Sequence, residues 1–448
     1  MITQSDSRTV PPRSAGDWLA REGVVADVNE LSERYEAVRR GSEKLCEPLV
    51  TEDYMLQSMS DASPTRWHLA HTTWFFETFL LLPYLAGYRA HNPLFAYLFN
   101  SYYNGAGPRW PRAQRGLLSR PTVAEIFEYR HCVDDHMRTF LKGEVCAAAR
   151  ATLILGCNHE EQHQELILTD LKHAWAINPV GPVYRPAGDA TAPLEPAPAK
   201  WLGFPEHLGW IGHERGEGSA ERGFAFDNES PRHRTFLRPF LLASGLVSNR
   251  DFLAFMADDG YRRPEWWLSE GWNTCQTRQW AAPLYWEQQD GVWKNYTLCG
   301  WRAVAMDEPV CHVSYFEADA FARWAKARLP TEAEWETAAS DIPITGHFVE
   351  SGHFHPASVP SAVDRGPLQQ MYGDVWQWTA SPYVSYPGFR PAAGALGEYN
   401  GKFMCNQFVL RGASCATPQR HARRTYRNFF PADARWQFAG IRLAKEVS

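Results

Sequence analysis

One long helical pattern organises the first half of the chain. Residues 147–175 read AAARATLILGCNHEEQHQELILTDLKHAW, a stretch that is periodic, poor in glycine and followed by Asn178-Pro179. Such a pattern predicts a single helix that ends before the proline. Three more helices are predicted upstream. Apolar spacing predicts one over residues 27–46, and Ser63 as N-cap with Pro64 at the first helical position predicts one to about Leu82. The capping box Thr122-x-x-Glu125 predicts the start of the third. Four helices with a long connection between the second and third predict a helix bundle.

Two histidines lie on one face of this long helix. His159 and His163 stand four residues apart, so their rings are close enough to share a metal ion. The alternative from the residues alone is a pair of solvated or hydrogen-bonded histidines on an acidic helix. The string also matches HExxH, the zinc protease motif with Glu160 as general base. That interpretation needs a third ligand, and Thr169 stands where the metzincin extension would place a histidine.

A third metal ligand is expected from the second helix. His68 and His71 lie three residues apart there, and either can face the core of the bundle. Three neutral histidines leave coordination positions open and suit Fe(II) that binds both O2 and an anionic thiolate. A closed structural zinc site would more often use cysteine, and the nine cysteines are scattered without a CxxC pair.

The composition narrows the class of protein. The 448 residues carry 45 basic and 51 acidic side chains, a net charge of −6, which argues against a nucleic-acid partner. Hydrophobic residues make up 44% of the chain and charged residues 21%, as in a protein with buried cores. No apolar run reaches the roughly 18 residues of a membrane span, and the first residues lack a signal-peptide core. With unpaired cysteines, this predicts a cytoplasmic protein without a membrane partner and leaves its oligomeric state open.

The chain changes character after the helical half. Residues 178–200 are rich in proline and alanine and are predicted to be a linker. Beyond them glycine and tryptophan become frequent and the elements look short, which predicts an irregular α+β domain. The predicted organisation is therefore an α+β protein of two domains, a four-helix bundle over residues 15–177 and an irregular domain over residues 201–448.

The second half carries motifs that resemble a known family. The helical half resembles the DinB-like four-helix bundle, and residues 201–448 resemble the C-type-lectin-like fold of the formylglycine-generating (sulfatase-modifying) enzymes. In this order the two modules are similar to the ergothioneine-type sulfoxide synthases. Five motifs in family order carry the resemblance: PVCHVS at 309–314, RLPTEAEWE at 328–336, GDVWQWT at 373–379, VLRGAS at 409–414 and GIRLA at 440–444.

This resemblance implies a reaction and a cofactor. In that family a non-heme Fe(II) held by three histidines uses O2 to couple a thiol to the imidazole C2 of hercynine (Nα-trimethylhistidine), giving a sulfoxide. The family pattern implies that His71, His159 and His163 are the ligands, with His68 beside them. Two related outcomes stay open: a selenosugar as the chalcogen donor, as in selenoneine synthases, and the C5-linked sulfoxide of the ovothiol route.

Departures from the family pattern bear on the donor and on the proton source. Phe430 stands where synthases that use γ-glutamylcysteine carry an aspartate, which argues against that donor. The catalytic tyrosine of those synthases matches only Leu396, with Tyr399 nearby. A second branch of the family takes a tyrosine pair from the helical domain, and Tyr102 and Tyr103 match that pair.

The substrate contacts are expected partly from the family and partly from chemistry. The resemblance implies that Gln162 and Asn428 contact hercynine. A trimethylammonium group binds aromatic faces within about 6 Å. Arginines spaced by three offer a fork for a donor carboxylate, with a solvated basic face as the alternative. The aromatic candidates are Trp376, Trp378, Phe429 and Phe430, and the arginines are Arg109, Arg112 and Arg115.

Overall fold

The structure is a computed structural model that describes residues 28–186, 200–214, 223–359, 366–391 and 395–447. Most of the predicted linker, residues 187–199, and the predicted start of the helical domain, residues 15–27, lie outside the described residues. The exact domain boundaries therefore stay predictions. The last helix of the helical part ends at Ile177, and the first strand of the α+β part begins at Trp201.

Four long helices build the N-terminal part, as the sequence predicts. They are α1 (Val28–Cys46), α2 (Thr65–Phe76), α3 (Val123–Leu141) and α4 (Ala147–Ile177). A π-helical turn, Glu77–Leu81, and one α-helical turn, Leu82–Tyr84, extend α2 to the predicted end. The four helices pack as a bundle in which α4 contacts both α1 and α2. Within the described ranges, none of the helices has the length and apolar character needed to cross a membrane.

The starts of two helices were predicted from capping signals, with different outcomes. Thr122 and Glu125 form the predicted capping box of α3: the Thr122 hydroxyl accepts from the Glu125 amide at 3.2 Å, and the Glu125 carboxylate accepts from the Thr122 amide at 2.6 Å. The prediction that Ser63 caps α2 is wrong, because Pro64 is the N-cap residue. The Ser63 hydroxyl instead accepts a hydrogen bond from Arg115 at 2.9 Å.

A buried ionic network holds α1, α3 and α4 together. Arg39 of α1 donates to Asp134 of α3 at 2.7 Å and to Glu160 of α4 at 2.9 Å. Glu160 also accepts from Arg130 at 2.6 Å and from the Ser42 hydroxyl at 2.7 Å. All five side chains are buried. A rotation of α4 would separate Glu160 from its arginine partners and leave uncompensated charges in the core, which is costly. The network therefore fixes the rotation of α4 in the bundle.

The long connection between α2 and α3 folds into three short turns. They are an α-helical turn, Phe95–Phe99, and two 3-10 turns, Asn104–Ala106 and Arg112–Leu117. This connection carries both predicted tyrosines and all three predicted arginines. It is therefore a part of the candidate site and not a passive link.

Small sheets and short helices make up the described C-terminal part. The helices are α5 (Asn249–Ala257), α6 (Ser269–Thr277), α7 (Tyr315–Trp324) and α8 (Glu332–Ala338). The strands are β1 (Trp201–Phe204), β2 (His207–Ile211), β3 (His233–Leu237), β4 (Phe240–Ala243), β5 (Trp286–Gln289), β6 (Val292–Thr297), β7 (Gly300–Ala303), β8 (Gly346–His347), β9 (Tyr372–Gly373), β10 (Trp376–Pro382), β11 (Gln407–Arg411), β12 (Asn428–Pro431), β13 (Ala439–Gly440) and β14 (Ala444–Glu446).

The described strands form five sheets. The largest has the order β12-β11-β10-β13, and its pairs are antiparallel except β10 with β13. The sheet β1-β4-β14 brings the first and last strands together, and β5-β6-β7 form a meander. Two-stranded ribbons join β2 with β3 and β8 with β9. The mixture of short helices and small sheets is the predicted irregular α+β architecture.

The motifs that carry the family resemblance supply the charged core of this part. Arg411 of β11 donates to Glu332 at 3.2 Å and to Glu336 at 2.7 Å, both on α8. Arg427 donates to the same Glu332 at 2.9 Å. All four side chains are buried. The motif residues Glu332, Glu336 and Arg411, together with Arg427, therefore stabilise the fold and do not themselves line the cavity of the candidate site.

One face of α4 forms the interface between the two parts. The Glu165 carboxylate accepts from the Trp376 indole at 2.8 Å and from the Ser414 hydroxyl at 2.6 Å. Two turns further along, the Lys172 ammonium lies 2.7 Å from His312 Nε2. Because these partners belong to the C-terminal part, α4 is the helix that both parts share.

Gly156 marks the closest approach of α4 to α2. A Cβ at this position would lie 2.6 Å from Phe76 Cε1 and 2.9 Å from Phe75 Cε1. Both rings are fully buried. Gly156→Ala should therefore lower the free energy of unfolding by about 1–3 kcal/mol, although alanine is the better helix former. Gly143→Ala is the control, because its Cβ would meet only the Phe140 carbonyl at 3.4 Å. Urea unfolding that finds the two variants equally stable would contradict this packing.

Candidate metal centre

Three histidines from two helices converge in the core of the bundle. His71 of α2 and His159 and His163 of α4 offer ligand atoms that all lie within 4.8 Å of one another. The Nε2 atoms of His71 and His159 are 3.2 Å apart, and the ring centroids of His159 and His163 are 4.6 Å apart. All three side chains are buried. The structure thus brings together the trio that the resemblance implies as ligands.

The His71 ring is held in one orientation by its neighbours. It stacks between Trp67, at 4.6 Å between centroids, and Trp74, at 5.6 Å. Its Nδ1 lies 2.6 Å from the carbonyl oxygen of Phe99. Because a carbonyl only accepts, Nδ1 carries the hydrogen, and the lone pair on Nε2 faces His159.

The donor set fits a first-row divalent metal ion. Burial, followed by the neighbouring rings, lowers the pKa values of His71 and His163 well below the ordinary value. Burial lowers the pKa of His159 to about 3. The three rings are therefore neutral at pH 7, as metal ligation requires. Three imidazole nitrogens without a carboxylate leave coordination positions open for substrates.

Glu160 points away from this centre. Its carboxylate is taken up by Arg39, Arg130 and Ser42 in the buried network. Burial alone would raise its pKa, but the two arginines outweigh burial and hold the pKa at about 2. The general base of a zinc protease must reach the water bound to the metal and accept its proton near neutral pH. The structure therefore contradicts the zinc protease interpretation of HExxH.

A cavity of about 520 Å³ opens beside the histidines, between the helical part and the C-terminal part. His159 and His163 form part of one wall, and Asn400 and Tyr426 stand on the C-terminal side. The cavity is therefore shared by both modules. The predicted substrate and catalytic residues on its walls are Tyr102, Arg109, Arg112, Arg115, Gln162, Trp376, Asn428, Phe429 and Phe430.

Two of the predicted substrate and catalytic residues do not line this cavity. Trp378 is fully buried, and its indole N–H donates to the Val313 carbonyl at 2.9 Å. It is a core residue, so its prediction as a substrate contact is corrected. Tyr103 is fully buried behind Tyr102, with 4.7 Å between ring centroids, and packs against Phe79 at 5.4 Å. Of the predicted tyrosine pair, only Tyr102 lines the cavity.

Tyr399 is the site residue that sequence reasoning undervalued. Its ring lies 5.6 Å from the His159 ring, and its hydroxyl donates to Oε1 of Gln162. The Gln162 amide in turn donates to the Tyr426 hydroxyl at 2.6 Å. Leu396, the position suggested by the family pattern, is instead a buried residue of a 3-10 turn. The proximity of Tyr399 to Leu396 in sequence was the available signal.

A clamp from the C-terminal part holds the tyrosine loop. The Glu398 carboxylate accepts from the backbone amides of Asn104 at 3.0 Å and Gly105 at 2.7 Å. Lys402 pairs with Glu398 at 2.9 Å and donates to the Tyr102 carbonyl. The position of Tyr102 therefore depends on contacts between the two modules.

The three arginines share the cavity but do not form one fork. Arg115 is buried, with its guanidinium 3.3 Å from the Trp67 ring centroid. Arg112 lies against Asp61, at 3.8 Å between charged atoms, and Arg109 donates to Asn104 at 3.0 Å. Three cationic groups on one cavity make it attractive to an anionic substrate group. The three side chains form a basic wall of the cavity, and the binding of a donor carboxylate by a guanidinium fork stays a prediction.

Comparisons with known proteins point to one family. The family model of the Sulfatase-modifying factor enzyme 1-like domain matches residues 215–363 and 356–447. The hercynine oxygenase of Mycolicibacterium thermoresistibile is 33% identical over 312 residues, 65% of this chain and 68% of that protein. The hercynine oxygenase of Mycobacterium tuberculosis is 34% identical over 252 residues, 52% of this chain and 58% of that protein. Ergothioneine biosynthesis protein 1 of Schizosaccharomyces pombe is 26% identical over 234 residues, 50% of this chain and 28% of that protein.

These matches and the fold define an enzyme of the oxygenase type, with a helical bundle followed by a sulfatase-modifying-factor-like domain. The chain belongs to the ergothioneine-type sulfoxide synthase family. The resemblance inferred from the five motifs is confirmed.

The role assigned to Glu160 can be tested by substitution. Glu160→Gln should lower the free energy of unfolding at pH 7 by about 3–5 kcal/mol, because two buried arginines lose their anionic partner. Its metal content should change much less than its stability, since Glu160 holds the helix in place and is not itself a ligand. The pKa of Glu160 is lowered from 4.5 to about 2, so the deficit should be full above pH 4.5 and shrink as the pH falls towards 2.

Urea unfolding over this pH range and elemental analysis measure the two effects, and the exposed Glu128→Gln on α3 is the control. A loss of metal with unchanged stability would contradict this role for Glu160.

Proposed function

We propose that the enzyme joins hercynine to a cysteine-type thiol in an O2-dependent reaction at a mononuclear non-heme Fe(II). In this reaction hercynine, the thiol and O2 give a C2-linked sulfoxide and one molecule of water. The carbon–hydrogen and sulfur–hydrogen bonds are broken, the new carbon–sulfur bond forms, and O2 accepts four electrons. The observation that carries the proposal is the buried trio of neutral histidines at the edge of a cavity shared by two modules.

The identity of the substrate is supported by the relatives. Two of them are named hercynine oxygenases, and a third is named an ergothioneine biosynthesis protein. Aromatic rings on the cavity wall, among them Trp376 and Phe429, suit a trimethylammonium group because their faces attract cations. We assign the imidazole contact to Gln162, whose amide is oriented by Tyr399 and Tyr426. Asn428 is the second proposed contact.

Iron is the metal we propose for His71, His159 and His163. When bound there, Fe(II) would supply redox chemistry with O2 and lower the pKa of a coordinating thiol. The side chains around it have separate tasks. The basic wall of Arg109, Arg112 and Arg115 neutralises a carboxylate of the donor, and the bundle core excludes water.

A tyrosine hydroxyl is the proposed proton donor for the oxygen atom that leaves as water. Burial raises the pKa of Tyr102, Tyr103 and Tyr399 above the ordinary value, so each stays protonated at pH 7. Tyr102 lines the cavity, Tyr103 backs it, and Tyr399 lies next to His159. We assign proton donation to the pair Tyr102 and Tyr103. Tyr399 is the alternative proton donor, because its ring lies next to that of His159.

The donor we propose is free cysteine. Phe430 lines the cavity where an acidic contact for γ-glutamylcysteine would stand, so that donor lacks its partner. A selenosugar is the second candidate, since the loss of the acidic contact is as compatible with a selenosugar as with free cysteine. With histidine in place of hercynine, the C5-linked ovothiol-type product is the outcome to exclude.

A product assay tests the reaction and identifies the donor. Anaerobically iron-loaded protein receives hercynine with cysteine, γ-glutamylcysteine or a selenosugar, and O2 is then admitted. We expect the mass of the cysteine sulfoxide adduct, and O2 uptake only when both substrates are present. His163→Ala is the control that should abolish both signals. If only the selenosugar gives an adduct, the selenosugar is the donor and not cysteine. If no pair of substrates gives an adduct, the proposed function is refuted.

Tyrosine-to-phenylalanine variants test the proton donor. The Tyr102→Phe, Tyr103→Phe double variant should keep its iron and shift the product from the sulfoxide towards the sulfinic acid of the donor, because the proton source is gone. Tyr97→Phe is the control, since this partly buried tyrosine does not line the cavity. If the double variant still makes mainly sulfoxide while Tyr399→Phe makes sulfinic acid, Tyr399 is the proton donor and the assignment to Tyr102 and Tyr103 is wrong.

Substitution of the basic wall tests donor recognition. Arg112→Met should raise the KM for the donor about tenfold, which corresponds to roughly 1.4 kcal/mol of lost binding, and leave the KM for hercynine unchanged. Arg120→Met is a matched control on the same connection, because this exposed arginine does not line the cavity. Equal donor KM values for the wild type and Arg112→Met would remove Arg112 from the site.

A further inference from the structure

We infer that Asp170 and His68 are positioning residues that fix the tautomer of His163, so that its Nε2 is presented to the metal. The inference rests on the metal centre of the proposed function, but not on the identity of the substrates. It concerns a chain of hydrogen bonds that leads from one ligand to a buried carboxylate and then to the cavity wall.

The geometry of this chain is specific. His68 Nδ1 lies 2.8 Å from His163 Nδ1, and His68 Nε2 lies 3.0 Å from Asp170 Oδ2. His68 is 2% exposed and Asp170 is 6% exposed, so water does not compete for these bonds. Asp170 follows His163 by seven residues on α4, which places both on one face of the helix.

The partners determine where the hydrogens lie. A carboxylate only accepts, so His68 Nε2 carries a hydrogen and donates it to Asp170. A neutral His68 then has a lone pair on Nδ1, and the hydrogen between the two rings belongs to His163 Nδ1. His163 is left with a lone pair on Nε2 for a metal ion, and its ring centroid lies 4.6 Å from that of His159 and 4.8 Å from that of His71. The opposite tautomer would place a hydrogen where the metal binds.

Asp170 is itself anchored from the cavity side. Its Oδ2 accepts the backbone N–H of Ser63 at 2.8 Å, and the Ser63 hydroxyl accepts from Arg115. Arg115 stacks on Trp67, which stacks on the ligand His71. The same small cluster therefore orients two of the three ligands.

The third ligand provides an internal contrast. His159 Nδ1 has no hydrogen-bond partner among the described residues. Among the three ligands, only His71 and His163 have their Nδ1 bonded to a described residue outside the trio. The partner of His71 is the Phe99 carbonyl, and the partner of His163 is His68. Loss of such a partner typically weakens metal binding about 10–100-fold. We expect an effect of this size when His68 cannot accept.

Metal affinity of the apo full-length protein tests the inference without turnover. Co(II) is titrated against a competing chelator, and its visible spectrum reports the ligand set. His68→Leu should weaken Co(II) binding about 10–100-fold, because His163 Nδ1–H loses its acceptor. His68→Asn should recover most of the affinity, since its amide oxygen can accept at the position of Nδ1. A merely structural role for His68 would give no such rescue.

The control is His173→Leu on the same helix. His173 Nδ1 bonds to Ser58 at 2.7 Å, and the residue lies ten positions beyond His163. It should leave Co(II) affinity unchanged. Wild-type affinity and spectrum in His68→Leu would overturn the inference, and so would equal losses in His68→Leu and His68→Asn with both variants folded by circular dichroism. Failure of the wild type to bind Co(II) would instead refute the metal centre.

Discussion

The structure depends on the contacts that α4 makes on two of its faces, one with the helical bundle and the other with the C-terminal part. Towards the bundle it presents His159 and His163, and towards the C-terminal part it presents Gln162 and Glu165. Both sets are interleaved within fewer than two turns, so a small rotation of the helix would misplace ligands and interface together. The buried network around Glu160 resists that rotation through charged contacts to α1 and α3.

This arrangement explains why the site needs both modules. The helical part alone supplies the three histidines, but the wall that faces them includes Tyr399 and Tyr426 from the C-terminal part. The Glu398 clamp then fixes the loop that carries Tyr102. The histidine trio inside the bundle thereby has a cavity at its edge whose lining comes from both modules.

Much of this was accessible from the sequence because it depends on local rules. The capping box at Thr122, the long helix and the four-residue spacing of His159 and His163 follow from helix geometry. The same rules gave a wrong result at the start of α2: Pro64 is the N-cap residue, and the Ser63 hydroxyl before it accepts from Arg115 instead. A capping signal records a preference, and a buried partner can override it.

The remaining errors concern residues whose surroundings are set by distant segments. Trp376 and Trp378 are indistinguishable as sequence, yet one reaches Glu165 at the cavity and the other reaches Val313 in the core. Tyr399 lies in an irregular segment without periodicity, so alignment to a motif could not separate it from Leu396. Periodicity locates elements, but it does not say which segment packs against them.

We propose that one iron ion binds His71, His159 and His163 together. Anomalous diffraction at the iron absorption edge, on crystals of anaerobically Fe(II)-loaded protein, tests this directly. We predict a single strong peak within bonding distance of all three rings, with His163 coordinating through Nε2. A peak bound to other residues, or none between these rings in protein that contains stoichiometric iron, would contradict it.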